Sequence, residues 1–136
     1  MNYRRYDEVA VGDVFPADPL RFEVSRAVVD GYLESIGNED ARYEGDGAAV
    51  PSMLASVYLI DLLAARQSPP GGIHAKQSIR FFRRLRIGET LSLQARVIET
   101  YIRKERPYVV SEFEVKGEDG SPVSSGRITA IWGKDQ

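Results

Sequence analysis

Apolar residues recur along this chain with two different periods. Between Ser25 and Gly37, the residues Val29, Tyr32, Leu33 and Ile36 fall at i, i+3, i+4 and i+7, which is one stripe of an amphipathic helix. Ser25 is placed to cap that helix and Gly37 to end it. From Met53 to Ala65 only Ser56 and Asp61 interrupt the apolar residues, so a second helix is predicted, apolar nearly all round and therefore enclosed by other structure on several sides. Pro51 suits its first turn. The segment from Asn38 to Pro51 carries four carboxylates and two glycines and should form a surface loop.

Downstream the period changes to two. Four runs, Ile73 to Phe82, Thr90 to Ile102, Pro107 to Gly117 and Pro122 to Trp132, predict strands in an antiparallel meander. In the first, Ile73, Ala75, Ile79 and Phe81 share a face with Gln77, while His74, Lys76, Ser78 and Arg80 take the other. Leu91, Leu93, Ala95 and Val97 share a face of the second, and Val109, Phe113 and Val115 of the third. Lys104-Glu105-Arg106-Pro107 is the turn before the third strand. Glu118-Asp119-Gly120-Ser121 is the strongest hairpin signal, because Asp-Gly readily supplies positive φ. A segment near Leu20 to Val24 adds an edge strand. The sum is an α+β domain, an antiparallel sheet curved around one buried helix.

Composition narrows the function classes. At 136 residues the chain is about one domain long, and residues 1–136 are taken as one. Its formal net charge of -2, from 18 basic and 20 acidic residues, gives no field to hold a nucleic-acid backbone. Cysteine is absent, which excludes disulfides, thiolate metal sites and a thiol nucleophile and fits a reducing cytosol. The N-terminus is charged where a signal peptide has its apolar stretch. The apolar run falls short of the ~20 residues that span a bilayer. A cytoplasmic protein without membrane or nucleic-acid partners is expected.

The run His74-Ala-Lys-Gln77-Ser-Ile-Arg-Phe81, followed by Arg83-Arg84-Leu85-Arg86-Ile87-Gly88-Glu89-Thr90-Leu91, resembles a strand and turn of the MaoC-like hydratase/dehydratase family. The family pattern is H-x-x-Q-x-[FI]-x-[FY] and then R-P-[LV]-x-x-G-D-T-L. The likeness extends over nearly the whole chain and is greatest to the N-terminal, dehydratase-like half of double-hot-dog members. It implies a hot-dog fold and an acyl thioester of coenzyme A or acyl-carrier protein as substrate, with no cofactor and no metal. It also implies pairing, as a homodimer or as a heterodimer with another hot-dog domain. The family's chemical signature, G-D-x-N-P-x-H, is altered here to Gly37-Asn38-Glu39-Asp40-Ala41-Arg42-Tyr43. Where the family often shows H-G-M-L, this chain has Pro51-Ser52-Met53-Leu54.

Removing water from a 3-hydroxyacyl thioester needs a base for the Cα proton, an acid for the departing hydroxyl and donors for the enolate-like oxygen. Asn38 cannot titrate, and Tyr43, with a reference pKa near ~10, is a poor base at neutral pH. Asp40 stands where the family has asparagine, so a carboxylate remains nearby, although a solvated acidic loop explains it as well. Asn38, Asp40 and Tyr43 are the candidate catalytic positions. Backbone N–H groups around Ser52 and Met53, at the start of the second helix, can meet a thioester carbonyl with the helix dipole in support. Ser52 as a simple helix cap is the alternative.

His74 is expected to be a surface or interface histidine. The basic cluster Arg80, Arg83, Arg84 and Arg86 can meet coenzyme A phosphates or the acidic face of a carrier protein, with Arg83 and Arg84 as candidate substrate-binding residues; a solvated tip explains it equally well. Three functions stay open. One is a dehydratase or enoyl hydratase of weak, altered or partner-dependent activity, and another is a non-catalytic subunit of a mixed dehydratase. The third is an acyl-CoA thioesterase activating water through Glu44 or Asp46.

Overall fold

A computed structural model describes residues 3–37 and 50–133. A short 3-10 turn at Tyr6–Glu8 precedes β1 (Val14–Glu23) and α1 (Arg26–Ser35). A second 3-10 turn, Ser52–Leu54, leads into α2 (Ala55–Ala64), and β2 (Ile73–Phe81), β3 (Thr90–Arg103), β4 (Arg106–Lys116) and β5 (Pro122–Ile131) follow. The strands form one antiparallel sheet in the order β1-β3-β4-β5-β2.

That order corrects the predicted meander. Only β3, β4 and β5 are joined as successive hairpins; β2 crosses to the far edge and pairs with β5 instead of β3. A period-2 pattern reports which residues share a face and is silent on which strand lies beside which.

The remaining local expectations resolve one by one. The Ser25 side chain accepts a hydrogen bond from the Val28 N–H at 3.1 Å, the N-cap expected of it. Gly37 takes φ +68°, a left-handed conformation that ends the helix. Val29 and Leu33 are buried, whereas Ile36 is left exposed at the helix end. Leu91, Leu93, Ala95 and Val97 of β3 lie in the core with Val109, Phe113 and Val115 of β4. The β4–β5 hairpin closes with Gly120 at φ +80° and Asp119 accepting from the Ser121 N–H at 3.0 Å.

The expected N-terminal edge strand is present and begins earlier, at Val14; Val24 lies just beyond it, fully buried. Pro51 sits outside the first helical turn, in extended conformation.

The second helix crosses the covered face of the sheet. Tyr58 packs edge-on against Phe22 of β1, with ring centroids 5.5 Å apart, and its hydroxyl lies 3.5 Å from Ser124 Oγ of β5. One helix residue thus reaches strands separated by two others. Leu54, Ala55, Tyr58, Leu59 and Leu62 are buried with the sheet residues, each large side chain worth roughly 1.5–3 kcal/mol relative to exposure. Enclosure is nevertheless incomplete. Ile60 is 68% exposed and Met53 57% exposed, so the side of the helix away from the sheet is open in the single chain.

The edge strand β2 also departs from expectation. Eight of its nine residues are exposed and only Ile79 is partly buried. Its pairing with β5 slips between His74 and Lys76, a bulge at Ala75. Directly opposed residues of an antiparallel pair share a face. His74, opposite buried Ala130, therefore joins the face of Gln77, Ile79 and Phe81, and Ile73 moves to the other. Strict alternation across the strand cannot anticipate such a slip.

Candidate functional site at the leading end of the central helix

Contacts fix how α2 runs along the sheet. Tyr58, in its first turns, meets Ser124 near the start of β5, and Ser124 pairs with Phe81 at the end of β2. Beyond the helix's other end, the Arg66 guanidinium lies over the Trp132 ring, just after β5. The leading end of α2 therefore shares one end of the sheet with the β2–β3 crossover, residues 82–89. The Phe82 N–H extends the β2–β5 ladder by donating to the Val123 carbonyl at 2.9 Å.

The crossover is held by one carboxylate. Glu89 accepts from Arg83 Nη2 at 2.7 Å and Nη1 at 3.0 Å, and from the Arg86 N–H at 2.6 Å. Burial works to raise its pKa, but the Arg83 fork and the Arg86 N–H outweigh this and hold the carboxyl below the usual range. Arg83 also donates to the Arg84 carbonyl at 3.0 Å and lies against Gly117, where a side chain would collide with its Nη2. Arg83 thus ties the crossover to the β4–β5 hairpin. Glu118 completes the tie by accepting from the Thr90 N–H at 2.7 Å.

The two candidate substrate-binding arginines therefore separate: Arg83 is engaged by Glu89, and Arg84 is exposed. Arg86 is exposed as well, and Arg80 stacks over the Phe82 ring at 5.5 Å. At the helix start, Ser52 and Met53 are exposed in the 3-10 turn, with Leu54 buried behind them. The candidate positions Asn38, Asp40 and Tyr43, and with them Glu39, Glu44 and Asp46, lie outside the described residues. By chain connectivity their segment joins Gly37 to buried Val50, immediately before the leading end of α2. His74 is exposed on β2, as expected of a surface histidine, and lies toward the opposite end of the sheet.

No local pattern announces the Tyr58 and Ser124 hydroxyls, which the fold buries in the core. Burial, set against the Ser124 contact, raises the Tyr58 pKa further above its ordinary value, so it is a neutral hydrogen-bonding group there. On the other face of the sheet Glu112 lies between Arg96 and Arg127 at 3.8 and 3.9 Å. Exposed pairs of this length contribute little and read as solvated surface. Among the described residues no three metal-ligating side chains converge, and no helix is long and apolar enough to cross a membrane.

No family model matches the sequence, and no curated protein matches it. Solved structures do. The (R)-hydratase PhaJ1 from Pseudomonas aeruginosa superposes with a TM-score of 0.82 at 17% identity, over 96% of this chain and 86% of that one. The chain has the hot-dog fold. The MaoC-like dehydratase from Rhodospirillum rubrum gives a TM-score of 0.70 at 19% identity over 96% and 97% of the two chains. The Mycobacterium tuberculosis HadBC complex, a 3R-hydroxyacyl-ACP dehydratase, gives 0.74 at 14% identity over 89% and 96%. At these identities the likeness is one of fold.

Proposed function

We propose that this hot-dog protein binds an acyl thioester at the leading end of α2 and acts as an (R)-3-hydroxyacyl dehydratase or enoyl hydratase with an altered dyad, its activity weak or dependent on a partner domain. The observation that carries this reading is a convergence at one end of the sheet: the exposed start of α2 lies at the end that also bears the crossover with Arg84 and Arg86. The segment holding Asn38, Asp40 and Tyr43 leads directly into that helix start. In this reading the N–H groups around Ser52 and Met53 polarise the thioester carbonyl, Arg84 and Arg86 meet the phosphates of the carrier, and Asp40 is the carboxylate left for proton transfer. Tyr43 donates a hydrogen bond to the departing hydroxyl.

A second reading, a non-catalytic subunit of a mixed dehydratase, is favoured by β2. A nine-residue strand exposed on both faces, with one unpaired edge and Phe81 and Phe82 exposed at its end, is suited to pairing with another hot-dog domain. A two-component complex such as HadBC shows a relative of this fold working with a partner.

The deciding experiment assays enoyl- and 3-hydroxyacyl-thioesters with the wild type and with Asn38→Asp/Tyr43→His. Activity gained in the double variant supports an intact pocket with altered proton-transfer groups. A folded double variant that neither binds nor turns over any thioester, alone or with a hot-dog partner retaining the Asp/His pair, refutes the proposal. Release of free thiol without hydration assigns the thioesterase reaction instead.

A further inference from the structure

Arg66, at the trailing end of α2, differs from the other partly buried cations. Arg4, Arg26 and Arg83 have side chains 29%, 31% and 23% exposed, and each holds a carboxylate, Asp13 and Asp30 at 2.6 Å and Glu89 at 2.7 Å. Arg66 has a buried Nη1 that meets no hydrogen-bond acceptor among the described residues. Its Nε reaches only the Leu63 carbonyl at 3.4 Å, and its plane lies over Trp132 at 5.8 Å. Burial pushes its pKa down, and among the described residues no carboxylate pairs with the charge. A buried charge without a partner is costly enough that proteins nearly always supply one.

Arg66 also lines a cleft of about 320 Å³, together with Ser68, the Pro69–Gly72 turn and His74, and no carboxylate lines it among the described residues. The bulge at Ala75 is what brings His74 to this face of the sheet. Backbone holds the turn in place: Gly133 lies so close to the Pro69 carbonyl that no side chain fits, and its N–H points to Ser68 Oγ at 3.4 Å.

We propose that this cleft binds a small oxyanion, the carboxylate or phosphate group of a soluble metabolite, with Arg66 as its charge partner and Ser68 and His74 as flanking donors. A guanidinium fork matches either group. The site is distinct from the thioester end, because the chain from Ser52 to Arg66 rises about 20 Å at helical spacing.

The test is a thermal-shift series on the full chain with inorganic phosphate and, separately, acetate, ionic strength being held constant with chloride. In the wild type one of them should raise Tm saturably, by about 5 °C at ten times its Kd. A response to phosphate alone assigns a phosphate-bearing ligand, and a response to acetate alone a carboxylate. Arg66→Met should be at least as stable as the wild type in chloride and should lose the response, while His74→Ala should weaken binding several-fold. Should Arg66→Met not fold, the Arg66 Nε–H resonance of the wild type reports directly, and its failure to shift with either anion overturns the proposal. A response undiminished in folded Arg66→Met overturns it too. So does a wild type whose Tm responds saturably to neither anion.

Discussion

Replacing Glu89 with glutamine should separate the architectural arginine of the crossover from those left for ligands. The wild-type carboxylate accepts both Arg83 contacts and the Arg86 N–H, and the two side chains are 23% and 11% exposed, Arg83 the more open. Glutamine keeps one acceptor oxygen and turns an amide toward the guanidinium, leaving Arg83 partly buried without a counter-charge. Exposed pairs contribute about 0.2–1 kcal/mol, and breaking fully buried ones costs about 3–5 kcal/mol. This half-buried fork falls between them, at about 2 kcal/mol. For a domain of this length that is about 7 °C in Tm.

The loss should depend on pH with a definite sign. The Glu89 pKa is lowered in the folded protein, so its contribution is complete above the unfolded value near ~4.3 and disappears as pH falls through the folded one. Urea unfolding at pH 7 and near pH 3.5 measures both gaps. The Glu89→Gln deficit should shrink on acidification. Arg83→Met should reproduce it at pH 7, whereas Arg84→Met should stay within about 0.5 kcal/mol of the wild type. Equal deficits at the two pH values, or an unchanged Glu89→Gln midpoint at pH 7, would refute the reasoning.

Two further substitutions probe the sheet. Gly126→Ala should destabilise by about 2–3 kcal/mol, read as a lower urea midpoint, because its Cβ would stand 2.7 Å from Phe113 Cζ and nearer still to the Ser78 carbonyl; an unaltered midpoint would show that β2 and β5 separate freely. Lys104 and Glu105 form the β3–β4 turn at φ +51° and +64°, so Lys104→Asn/Glu105→Gly should raise Tm by relieving two left-handed non-glycine residues, by about 1 kcal/mol together. A lower Tm would contradict that account.

Much of the fold was legible because its strands and caps are local. The alternation of Leu91, Leu93, Ala95 and Val97, the Ser25 cap and the Asp119-Gly120 turn each follow from the nearest neighbours in sequence. The place of β2 was not, since its partner lies beyond two intervening strands, and the bulge at Ala75 reversed the face expected of His74. Ile60 misled for a similar reason. An apolar helix position looks the same in sequence whether this chain or another surface covers it, and here it is open. At the candidate site, the arginine cluster was visible as composition, but its division was not. The Glu89 carboxylate selects Arg83 from four neighbouring cations by geometry alone. Arg66 carried no sequence signal of its isolation, because an unpaired charge is defined by what fails to approach it.

The crossover that carries β2 to the sheet's far edge also sets an order of assembly. The β3–β4 and β4–β5 pairs close over tight hairpins, whereas Phe81 meets Ser124 only after both have formed or while a long loop is closed around them. Since β2 contributes almost nothing to the core, its detachment would cost ladder hydrogen bonds and leave the packed interior whole. The strand with the most surface to offer a neighbouring domain is thus the last to arrive and the easiest to release, and it can leave its place while the rest of the chain stays folded.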